Sequence, residues 1–142
     1  MSVITLDQAN TIIAAAFAKG KELNLKPLSI AVLCPGGHLI AFQRADGAST
    51  LRPQIATGKA SGALALGINS RAIADMAAER PSFVASLGPI AAAGIIPAAG
   101  GVIVKDAAGK IVGAVGITGD TSDNDEAAAL AGIAAAGLVA QG

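Results

Sequence analysis

Two short turns constrain this chain more than anything else in it. From Leu28 to Leu33 the residues are apolar and largely β-branched; Cys34-Pro35-Gly36-Gly37 then supplies turn chemistry, and a strand pattern resumes from His38 to Gln43. Gly101 to Lys105 and Lys110 to Thr118 repeat the arrangement around Asp106-Ala107-Ala108-Gly109. Turns this short join antiparallel neighbours, so each segment reads as a hairpin. The two hairpins align at a constant offset, Cys34 to Ala41 against Asp106 to Gly113. Where the second has Asp106 and Lys110, the first has Cys34 and His38.

An apolar sheet face must be covered, and the rest of the chain supplies helices. Behind a capping Thr5, the residues Leu6, Ala9, Ile12, Ile13, Ala16 and Phe17 recur at helical spacing and predict a helix over about 5–24. Residues 50–80 are helix formers, with Asn69-Ser70 marking a break and a second start. Residues 81–94 read as a loop, with Ile95-Ile96 as a short strand after it. Near the end, Thr121 or Ser122 caps a helix that runs to about Val139, and Asp123, Asp125 and Glu126 occupy the first turn, where the helix dipole favours anions. Ala127 to Ala140 carries no charge and includes Gly132 and Gly137, as expected of a helix packed closely against the sheet or another subunit.

At 142 residues the chain is the size of one domain. It is 53% hydrophobic with only three aromatic residues, Phe17, Phe42 and Phe83, so aliphatic side chains must fill the core. Ten basic and ten acidic residues cancel without a basic run, which excludes the electrostatic footprint of a nucleic-acid binder. Charged residues make up only 14% of the chain, and we read this as surface hidden by self-association into a homo-oligomer. One Cys and one His cannot build a structural zinc site, and one Cys cannot form an intrachain disulfide. The start of the chain lacks a signal-peptide pattern, and Pro81, Pro89 and Pro97 break the longest uncharged stretch, so a cytoplasmic protein without a membrane partner is expected.

Few residues can carry chemistry. His38, the only imidazole, is either an exposed turn-edge residue or the group that titrates or ligates. Cys34 is either a small buried hydrophobe or a ligand or nucleophile with His38 four residues away. Arg44 can grip a carboxylate with Asp46 orienting it, or the two are an exposed pair beside an Asp46-Gly47 turn. Lys59, the only charge between Arg52 and Arg71, either snorkels to water or faces a ligand anion. Gly100 and Gly101 bring backbone close to a helix, a subunit or a flat ligand. No dinucleotide fingerprint, phosphate loop or nucleophile elbow occurs.

Ser29 to Leu39 with Cys34 and His38, Arg44 to Ala48, Lys59-Ala60, Gly100-Gly101, and Val112 to Gly119 leading to Asp125-Glu126 together resemble the GlcG-like and HbpS-like proteins, described as haem-binding or haem-degrading. The resemblance implies a profilin-like α/β (α+β) fold, an antiparallel sheet of about five strands flanked by helices, in one domain over 1–142, assembled as a homo-oligomer. It also implies a pocket at His38, Arg44, Asp46, Lys59, Gly100 and Gly101, with haem as the expected cofactor and His38 or Cys34 as iron ligand. This chain departs from the family in having Cys34 where Asp is common and Ala45 where Met is common. Three readings follow: a protein that binds haem or a related tetrapyrrole; a small-molecule enzyme using Cys34 and His38 with Arg44 or Lys59 as carboxylate clamp; and a ligand-free assembly module.

Overall fold

Both hairpins form as expected, and a computed structural model, which describes residues 2–142, joins them into one antiparallel sheet. The first hairpin pairs β1 (Ser29–Leu33) with β2 (Leu39–Arg44), and the second pairs β3 (Gly101–Lys105) with β4 (Ile111–Thr118). β1 also pairs with β4, so the hairpins meet at the centre of a five-stranded sheet of order β2-β1-β4-β3-β5. The edge strand β5 is Val139–Ala140, bonded to the outer side of β3. The fold is α+β.

The two faces of the sheet are built differently. Ile30 and Val32 of β1 stand opposite Ile117 and Val115 of β4, and these large side chains meet Ile12, Ile13 and Ala16 of α1 (Leu6–Glu22) and Ala128, Ala129 and Ile133 of α5 (Ser122–Ala135) in the main core. The alternate residues are small apart from Leu33: Ala31 faces Gly116 and Leu33 faces Ala114. On that side α2 (Arg52–Leu66) lies close to the strands, packing Ala60 on Leu33 and Ala114. Few aromatics are needed because tight approach of small residues does the filling. α3 (Ser70–Glu79) follows α2 after Gly67 closes it in a left-handed conformation, φ 73°.

The structure corrects three expectations. Residues 81–94 are not all loop: Pro81–Leu87 forms α4 and Gly88–Ile90 a 3-10 turn. Pro81 sits in the first turn of α4, where its missing N–H costs nothing, so the proline that looked like a breaker starts a helix. Ile95 and Ile96 belong to no strand; they press on Gly62 and Gly58 of α2. The final helix stops at Ala135, not near Val139, because Gly137 turns left-handed at φ 72° and Leu138 N–H donates back to the Ile133 carbonyl. That stop frees Val139–Ala140 to become the fifth strand.

No helix of the described residues is long and apolar enough to cross a membrane.

Candidate functional site

The β1–β2 turn brings Cys34 and His38 together. Cys34 N–H donates to the His38 carbonyl (2.8 Å) and Gly37 N–H to the Cys34 carbonyl (2.9 Å), which closes the turn with Gly37 at φ 83°. Both side chains border the space over Gly36: a Cβ placed there would lie 3.2 Å from His38 Cδ2, 3.6 Å from Nε2 and 3.8 Å from Cys34 Sγ. The imidazole is exposed and the thiol half-buried. The turn leans on α2 near Ser61, and a cavity of about 210 Å³ lies between Gly36, Gly37, Ser61, Leu64 and Ala91.

Arg44 lies at the other end of β2, six residues and therefore about 20 Å from His38 along the strand. It is exposed, as is Asp46 in the following turn, and they form no ion pair with each other among the described residues. Between the two ends, β2 is an open edge strand carrying Leu39 at 57% exposure and a half-buried Phe42.

Lys59 neither snorkels to water nor faces a groove. Its side chain is 3% exposed; Nζ donates to the Ile117 carbonyl (2.9 Å) and to Asp125 Oδ2 (3.2 Å), and Asp125 is itself 2% exposed. Asp125 Oδ1 accepts the Asp120 N–H at 2.9 Å. Burial pushes the Lys59 amine down and the Asp125 carboxyl up from their ordinary values, against the attraction of each for the other. Gly100 and Gly101 accommodate this pair. A Cβ on Gly100 would come 2.8 Å from Lys59 Nζ, and one on Gly101 would strike the Lys59 carbonyl. Lys59, Gly100 and Gly101 thus form a buried cluster tying α2, β3, β4 and α5, apart from the Cys34–His38 turn.

The sequence marks Asp125 as part of the family resemblance and as a first-turn acid of α5, but not as a pocket residue. Its phase was the overlooked signal: Asp125 shares the buried stripe of Ala128, Ala129, Gly132 and Ile133, as Lys59 shares that of Ala56, Ala60 and Ala63. A second cavity, about 430 Å³, opens at the opposite edge of the sheet between Ala72, Val102, Leu130 and Gln141. Arg71 at its rim is engaged by Glu126 and Asp123, and none of the residues expected at a pocket lines it.

With this geometry in place, comparison with known proteins decides the family. The family described as haem degrading protein HbpS-like matches residues 4–134. The chain belongs to that family. No curated protein matches it. Among solved structures it is similar to Klebsiella pneumoniae protein ORFY, at 27% identity and TM-score 0.86 over 96% of this chain and 92% of that one. It is also similar to a double mutant of Streptomyces reticuli HbpS, at 27% identity and TM-score 0.80 over 94% and 87% of the two chains. A PduOC:heme complex shares the fold, at 19% identity and TM-score 0.85 over 99% of both chains. The HbpS-like fold is therefore common to all of them.

Proposed function

We propose that this protein binds haem or a related tetrapyrrole at the β1–β2 turn, as a homo-oligomer in which a second copy helps to enclose the ligand. The observation that carries the reading is that the exposed His38 imidazole and the half-buried Cys34 thiol border the same space over Gly36. Both are axial ligands of haem iron, so the donor set suits the group. Leu39 and Phe42 supply apolar contact along the adjoining strand. The 210 Å³ cavity is smaller than the roughly 300–1,000 Å³ of an enclosing ligand pocket, so the ring would stand partly outside it. The open edge of β2 offers a place for a second subunit to close over the ring.

When bound, haem supplies an iron centre with redox chemistry that the side chains lack. The chain's part would be to hold it, with His38 or Cys34 offered to the metal and Leu39 to the ring; Lys59 is already paired with Asp125. Haemin titration is expected to give a saturable Soret shift, weakened by His38→Ala at an exposed position and tested separately with Cys34→Ala. No shift at stoichiometric haemin overturns the reading.

The same turn supports a second reading, a small-molecule enzyme in which Cys34 acts as nucleophile or acid–base group beside His38, without the distant Arg44. Native mass spectrometry of protein purified without added haem separates the two: a tetrapyrrole mass favours the first, another small molecule the second.

A further inference from the structure

We propose that the end of the sheet beneath the start of α2 is an oxyanion site, built by Arg44, Arg52, Ser29 and Thr118, for the carboxylate or phosphate group of a ligand. Register places three of these residues in one row: Ser29 of β1 stands opposite Arg44 of β2 on one side and Thr118 of β4 on the other. Directly opposed residues project to the same face of a sheet, and contact with α2 identifies that face. Arg52, the first residue of α2, donates from Nη1 to Thr118 Oγ1 (2.8 Å) and from Nε to Ser49 Oγ (3.2 Å).

Two features set this place apart from an ordinary surface. Neither guanidinium is paired with a carboxylate among the described residues; Asp46, the nearest acid in sequence to Arg44, is exposed and bonded to neither. The α2 N-terminus adds its positive dipole and has no side-chain cap. The second feature is Ser29 Oγ, a fully buried side-chain oxygen with no hydrogen-bond partner among the described residues. A buried hydroxyl left unbonded is costly, and a folded protein ordinarily satisfies such a group. Its register neighbours are the unpaired Arg44 and the Thr118 that holds Arg52. Arg44 is exposed and free to change rotamer, so an oxyanion can enter beside it, bridge the two guanidinium groups and accept a hydrogen bond from the Ser29 hydroxyl.

The site does not require the haem reading, because the oxyanion can belong to a free acid as well as to a porphyrin propionate. The Nε–H resonances of Arg44 and Arg52 in ¹⁵N-labelled protein, titrated separately with succinate and inorganic phosphate, are expected to shift saturably with at least one. Shifts with succinate alone assign a carboxylate ligand, and shifts with phosphate alone a phosphate ligand. Arg44→Gln, at an exposed strand end where the fold is not at stake, weakens that binding about tenfold, and Ser29→Ala weakens it while raising the thermal midpoint of the unliganded protein. A parallel titration with haemin and its dimethyl ester reads the propionate arm: tighter binding of the free acid, lost in Arg44→Gln, assigns the site to propionates. Absence of saturable shifts with either anion, together with equal affinity for haemin and its ester, overturns the proposal and leaves the haem reading intact.

Discussion

Replacing Lys59 by Met removes one charge from the buried cluster while keeping a side chain of similar length, and the consequence follows from what Asp125 is left with. Asp125 retains the Asp120 N–H on Oδ1 but loses its only partner on Oδ2, at 2% side-chain exposure. Breaking a buried pair from one side costs about 3–5 kcal/mol, a large part of the roughly 5–15 kcal/mol that holds a domain together. The thermal midpoint is expected to fall by roughly 10–20 °C. The chain has no Trp or Tyr, so urea unfolding followed by far-UV circular dichroism is the suitable assay.

The pH dependence of the variant isolates the cause. Burial already raises the Asp125 carboxyl above 3.8, and Lys59 is among the influences holding it down. Without the amine the folded-state value rises further. A carboxyl raised in the folded state contributes stability that is complete below its unfolded value and is lost as pH climbs through the folded one. Lys59→Met is therefore expected to recover stability as the pH falls from neutral toward about 4. Lys59→Met with Asp125→Leu, which removes both charges, should return to within about 1 kcal/mol of wild type or exceed it. A single variant within about 1 kcal/mol of wild type at neutral pH, or one with no acid recovery, would refute the argument.

Gly101→Ala drives a Cβ into the Lys59 carbonyl, a backbone atom that cannot swing aside, so a loss of about 1–3 kcal/mol or more is expected in the same urea assay. Asp120 carries the opposite pH signature to Asp125: hydrogen bonds from Asn124, from Lys26 N–H and from Thr121 N–H hold its carboxyl at about 2. A depressed carboxyl contributes stability above its unfolded value, 3.8, that disappears as the pH falls toward 2, so Asp120→Asn should flatten the acid limb of the stability curve over that window.

What the sequence disclosed and what it hid divide along a physical line. The hairpins were legible because a turn is a local event, written in Pro35, Gly36 and Gly37 and repeated at Asp106 to Gly109. The first helix was legible because its cap and stripe are local too: Thr5 and Gln8 complete a reciprocal capping box. The fifth strand was hidden because two residues, Val139 and Ala140, carry no pattern of their own and become a strand only where β3 offers a free edge. The helix at Pro81 was hidden because proline ends helices and begins them with equal authority, and position decides which.

The residues expected at one pocket illustrate the same division. Cys34 and His38 meet because they bracket one turn, whereas Arg44 follows the strand about 20 Å away and Lys59 turns inward. A lone Lys on an apolar helix has a third option besides water and ligand, namely a lone acid on another apolar stripe. Lys59 and Asp125 are the charges that fall in phase with the buried stripes of α2 and α5, and burying either alone would cost more than a domain can readily spare. Phase against the apolar stripe, applied to both signs of charge together, would have paired them before any coordinates. Arg44 and Arg52, which lie outside those stripes, form no ion pair with a carboxylate among the described residues.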